Sequence, residues 1–168
     1  MSSVSGLGAA KRIRARDLAV EAALLGLHNA GAIHYTQGAE RWEGIAKEMK
    51  AWRGRFPDQC DCSSFATWCL WNGLDHYGVR DTINGQQWRA GYTGTMVAHG
   101  RPVSGPSAVL RGDLVLYGNP TGSTGHVAIA VGRRSDGRVM VVSHGSEGGP
   151  YYLTYDYRSD VHSIRRYV

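Results

Sequence analysis

An α+β domain, with helices packed on a C-terminal antiparallel β-sheet of about five strands, is the fold class this sequence predicts. Three observations carry that expectation. Helical periodicity is confined to roughly the first 75 residues, and period-two alternation of β-branched residues begins only after Gly112. The chain holds 23 Gly and 5 Pro in 168 residues, a balance that suits turns and close backbone approaches and excludes a purely helical bundle. One hydrophobic core suits this length, and no internal repeat is evident.

Residues 1–14 read as a flexible basic arm, and residues 15–168 as a single domain. A first helix is expected from about residue 15 to 28, where Leu18, Ala22 and Leu25 with Val20, Leu24 and Leu27 form an apolar stripe ended by Gly31. Trp42, Ile45, Met49 and Trp52 recur at helical spacing and predict a second, core-packed helix stopped by Gly54 and Pro57. Asp61 is the expected N-cap of a third helix that carries Cys62, Phe65, Trp68, Cys69 and Trp71. Residues 73–111 form an irregular excursion with a short helix near 95–99, of the kind that walls a cleft. Five strands are then expected at 113–117, 126–132, 138–144, 151–157 and 162–168.

The 19 Lys and Arg, 16 of them Arg, exceed the 14 Asp and Glu and leave a net charge of +5, which favours an anionic partner. Nucleic acid is not the expected one, because the basic residues are scattered and not interleaved with stacking aromatics. No apolar run approaches the roughly 18 residues that span a bilayer, so stable membrane insertion is not expected, and no secretory signal is visible. Three cysteines are too few for a disulfide framework. Cys62 and Cys69, on one helix, lie about 10 Å apart, beyond bridging distance.

At the first turn of its helix Cys62 meets free backbone N–H groups and the positive end of the dipole, which favour a thiolate nucleophile. The hairpin of strands 126–132 and 138–144 supplies candidate bases. A five-residue loop sets His126 opposite His144, and a three-residue Ser135-Asp136-Gly137 turn makes them diagonal neighbours on one face. A register odd by one residue separates them. Ala128 and Ala130 share the His126 face and leave room for the Cys62 helix, which brings together nucleophile, base and orienter.

Asp61-Cys62-Ser63-Ser64-Phe65, Leu110-Arg111-Gly112-Asp113-Leu114-Val115, Gly125-His126-Val127-Ala128-Ile129-Ala130-Val131-Gly132 and Val141-Val142-Ser143-His144 together resemble the NlpC/p60 cell-wall peptidases. The resemblance spans about residues 58–146 and implies a papain-like cysteine peptidase with Cys62 as nucleophile, His126 as general base and His144 as third member. It implies hydrolysis of a peptidoglycan stem peptide, between D-Glu and diaminopimelate, with Tyr35, Gln59, Asp61 and Ser63 at the substrate. No cofactor or metal is expected. Ser64 and Gly145 stand where the family usually has Gly and Ala, and Tyr35 lies 27 residues before Cys62 instead of close to it.

The segment from 34 to 45 is similar to N-terminal peptidase modules of actinobacteriophage endolysins. Such a protein is made in the host cytoplasm, reaches the wall after a holin opens the membrane, and is expected to act as a monomer. Several alternatives use the same residues. An amidase or acyltransferase retains the triad, a non-catalytic module retains only the fold, and Cys60, Cys62, His126 and His144 offer zinc ligands at unusual spacing. Glu147 is a substitute third member in a shifted hairpin. Tyr151, Tyr152, Tyr155 and Tyr157 suit either sugar stacking or inward packing.

Overall fold

The computed structural model describes residues 3–168. Its first helix, α1, spans Ala9–His28. It begins before the expected residue 15 because Ala9, Ala10, Lys11 and Arg12 are all strong helix formers. The basic residues of the expected arm therefore ride the first turns of α1, and Leu7 just before it is buried.

The predicted second helix is much shorter than its periodicity suggested. α2 covers only Glu43–Ala46, and the chain then turns through Glu48, whose φ of 48° ends the helix. Side chains of the third helix explain the turn. The Trp68 indole donates to the Met49 carbonyl at 2.8 Å, and the Asn72 side-chain oxygen accepts from the Ala51 N–H at 2.8 Å. Trp42 is buried as expected, whereas Trp52, beyond the turn, is exposed.

Helix α3, Cys62–Leu74, starts where the sequence places it. Asp61 accepts from the Ser64 N–H at 2.8 Å, and the Ser64 hydroxyl accepts from the Asp61 N–H at 2.9 Å, a reciprocal capping box. The helix is apolar on all sides and correspondingly buried by α1 and the sheet. Gly73 permits the contact with α1, since a Cβ there would collide with the Ala15 carbonyl.

Further on, α4 (Thr93–Val97) occupies the excursion, two residues earlier than expected. The main sheet contains β3 (Arg101–Val103), β4 (Leu114–Tyr117), β5 (His126–Arg133), β6 (Val139–Ser143), β7 (Tyr151–Thr154) and β8 (Val161–Arg166). Its order is β3-β8-β4-β5-β6-β7, antiparallel throughout. The five expected strands are present, and β3 adds a sixth at the edge. Arg166 on β8 grips Asp113 with two hydrogen bonds of 2.7 and 2.6 Å, tying the end of the chain to the start of β4. A separate two-stranded parallel sheet pairs β1 (His34–Tyr35) with β2 (Gln59–Cys60).

Leu114, Leu116, Val127, Ile129 and Val142 face the helices, while Val115, Tyr117, Ala128, Ala130 and Val141 form a second core on the other face. This reverses the expectation that Ala128 and Ala130 underlie the Cys62 helix. Strand parity is the reason, and the β5–β6 hairpin shows how it arises. The tight turn forms, with the Arg134 N–H donating to the Arg138 carbonyl at 2.9 Å, and Gly132 pairs with Met140. Val131 is then an extra residue, and the ladder resumes with Ala130 opposite Val141 and Ile129 opposite Val142. That bulge produces the odd register, which assigns His126 and His144 to opposite faces.

Candidate active site

Cys62 occupies the first position of α3, near the end of the β5–β6 ladder within the sheet. The Ala130 N–H donates to Asp113 on the β4 side, so by alternation the Val127 N–H faces the β6 side, beyond the last paired residues. There it acts on the Cys62 thiol, drawing its pKa down. The thiol is thus seated beside the residue that follows His126. This contact joins helix mouth and strand.

His126 is buried, with Nε2 2.5 Å from the Ser143 hydroxyl. Its ring packs near Tyr117 and Tyr157, at centroid distances of 5.9 and 6.5 Å. With Nε2 engaged by Ser143, Nδ1 is the nitrogen left for proton exchange. Gly145 passes so close that a Cβ there would lie 2.9 Å from His126 Cε1. Glycine at this position leaves the imidazole its place.

His144 does not join this pair. It lies fully buried on the helix side, against Phe65 and edge-on to Tyr35 at 5.7 Å, and neither ring nitrogen has a hydrogen-bond partner among the described residues. Ser143, one residue earlier, stands where His144 was expected. A serine at that point carried no signal in the sequence, because locating it required the Val131 bulge.

Tyr35 is brought to the site across 27 residues by the parallel pairing of β1 and β2, which sets it opposite Cys60. Burial, with the neighbouring Cys62 second, pushes its phenol pKa up, and its oxygen accepts from Gln37 Nε2 at 3.1 Å. Asp61 and Ser63 have other engagements. The Ser63 hydroxyl donates to Asp61 at 3.1 Å, and Arg41 lies 3.6 Å from the same carboxylate, so both residues fasten the helix mouth. Gln59 pairs with His34 on the short sheet. Glu147 is no substitute orienter, since it accepts from the Tyr35 N–H and contacts His34 Nδ1, both at 2.8 Å. It clamps β1 to the loop after β6.

The electrostatics differ from the helix-dipole expectation. Burial pushes the Cys62 thiol up to about 12, with the Asp61 charge adding to it, against the opposing N–H groups of Val127, Ser63 and Cys62. Desolvation, followed by the nearby Arg158 charge, lowers His126 to about 4. At neutral pH the pair therefore rests as thiol and neutral imidazole. The zinc alternative does not assemble, as no three His, Cys, Asp or Glu side chains converge in a metal-binding arrangement among the described residues.

Cys62 opens the helix that packs on the strand carrying His126, and comparison with solved structures agrees on the fold. NlpC2 from Trichomonas vaginalis superposes with a TM-score of 0.57 at 21% identity, over 99% of this chain and 50% of that one. NlpC1 from the same organism gives 0.53 at 20%, over 98% and 46%. An NlpC/P60 family protein from Bacillus cereus gives 0.44 at 20%, over 79% and 41%. The chain thus spans about half the length of the two Trichomonas proteins. The chain belongs to the CHAP domain family, whose profile matches residues 49–146, and so to the superfamily of cysteine peptidases and amidases. No curated protein sequence matches it.

Proposed function

We propose that this protein is an endolysin-type cysteine endopeptidase that hydrolyses peptidoglycan stem peptides at the bond from D-Glu to diaminopimelate. The observation that carries the reading is that Cys62 opens a helix packed on the strand bearing His126, whose Nε2 is already engaged. Tyr35 and a net charge of +5 support a peptide substrate in an anionic wall.

In this mechanism Cys62 Sγ bonds to the carbonyl carbon as its proton passes to His126 Nδ1. Because thiol and imidazole rest neutral, proton transfer accompanies attack instead of preceding it. The carbonyl π pair moves onto oxygen, where the Cys62 N–H is positioned to donate. Collapse of the adduct breaks the C–N bond, and the imidazolium proton goes to the departing amine. Water then attacks the thioester, gives its proton to His126 and returns the thiol. The neutral Ser143 hydroxyl holds the ring throughout but supplies no charge to stabilise the imidazolium.

In this reading the enzyme reaches the wall after holin-dependent release and acts as a monomer. Mass spectrometry of walls digested by the wild type and by Cys62→Ala tests it. New free amines on diaminopimelate, absent with Cys62→Ala, are expected. New amines on the glycan-proximal alanine would assign an amidase instead, and binding without new termini would leave a wall-binding module.

A further inference from the structure

Beside His126 a cleft of about 280 Å³ opens, lined by Ser143, Gly145, Tyr151, Leu153, Tyr157 and Arg158. Its walls are built. The Tyr151 hydroxyl donates to the Glu147 carbonyl at 2.7 Å, and the Tyr157 ring meets Tyr117 edge-on at 5.3 Å. Both rings keep more than a third of their surface exposed, at 40% and 38%.

Arg158 closes one end of the cleft and is held in a fixed pose. Nε donates to Asp160 Oδ1 at 2.8 Å, Nη2 donates to Asp160 Oδ2 at 2.5 Å and to the Thr124 carbonyl at 3.2 Å, and the guanidinium lies 5.6 Å from the Tyr117 ring centroid. Nη1 has no hydrogen-bond partner among the described residues. An oriented cation whose Nη1 is free to donate, at the end of an aromatic slot, suits one oxygen of a carboxylate.

The position of the cleft decides which part of a substrate it holds. The imidazole that protonates the departing amine forms part of the lining, so the fragment in the cleft is the one that leaves with that amine. We propose that Arg158, positioned by Asp160, binds a carboxylate on the leaving-group side of the scissile bond, with the Tyr151 and Tyr157 rings flanking the acidic residue that bears it. This inference rests on the peptidase reading and deepens it, naming an acidic departing residue as the specificity element. Such a carboxylate also serves the chemistry. Arg158 disfavours the imidazolium while Asp160 and Asp61 favour it, so an anion seated on Arg158 offsets the one cation that opposes proton transfer to His126.

The test uses the tripeptide L-Ala-D-isoGlu-diaminopimelate with free diaminopimelate carboxylates and its twin with those carboxylates amidated. The wild type is expected to cleave the free acid with a KM about tenfold or more below that of the amide. Arg158→Gln should lose that preference, and Arg158→Lys should retain part of it. On the amide twin, which offers Arg158 no carboxylate, Arg158→Gln should lose much less than on the free acid. A merely structural arginine would slow both substrates alike. Calorimetric binding of both peptides to Cys62→Ala reads the same preference without turnover. If the wild type cleaves neither peptide but Cys62→Ala binds the acid more tightly in an Arg158-dependent way, the peptidase reading fails and the subsite stands. Equal binding of acid and amide, or equal losses in Arg158→Gln on both, overturns the proposal.

Discussion

The two ends of the β5–β6 hairpin follow different rules. At the turn, Gly132 opposite Met140 keeps the even register of a three-residue loop, while beyond Val131 the pairing of Ile129 with Val142 is odd. One extra residue between these ends exchanges the neighbours of two histidines. His126 gains the Ser143 hydroxyl, and His144 is buried against Phe65 and Tyr35, with the His34 backbone as its polar neighbour. Residue type therefore does not decide which polar group meets the His126 ring. Parity does.

The broadest test of this contrast removes the members assigned to chemistry. Cys62→Ala and His126→Ala are each expected to lower hydrolysis on the order of 10⁴-fold, with circular dichroism unchanged. His144→Ala is not expected to do so. The sharper test sets neighbours against each other. Ser143→Ala leaves the buried Nε2–H of His126 unpaired and should reduce kcat by about tenfold or more. His144→Phe removes two unpaired nitrogens from an apolar pocket, so kcat should stay within about twofold and Tm should hold or rise. Loss of kcat in His144→Phe alone would reverse the assignment. Gly145→Ala should fall between them, at several-fold lower kcat, since its Cβ displaces the imidazole.

The smallest effect is a pH dependence of stability. Folding lowers His126 from 6.5 to about 4, so between those values the unfolded chain binds the proton that the folded chain refuses. Stability attributable to this group is intact above about 6.5 and falls as pH drops towards 4, by at most about 3 kcal/mol. Urea midpoints of His126→Gln should show a shallower decline across that window. Activity, in contrast, should vary little from about pH 5 to 9, because neither the imidazole nor the thiol titrates there.

Legibility in the sequence tracked how local each determinant was. The Asp61 cap, the α3 start and the five strands follow from short-range patterns, and the structure has them. The helix expected over Trp42 to Trp52 failed because groups remote in the chain, Trp68 and Asn72, recruit the backbone after Ala46 into a turn. Cys62 and His126 were legible as separate motifs. Their orienter was not, since it depends on a bulge that β-branched alternation hides. Tyr35 needed the parallel pairing with β2, and Arg158 needed the cleft, neither of which leaves a local trace.

Dehydration of the helix mouth has one more effect. Thiolates attack peroxides and disulfides far faster than thiols do, so the burial that holds the Cys62 proton also slows oxidation of its sulfur.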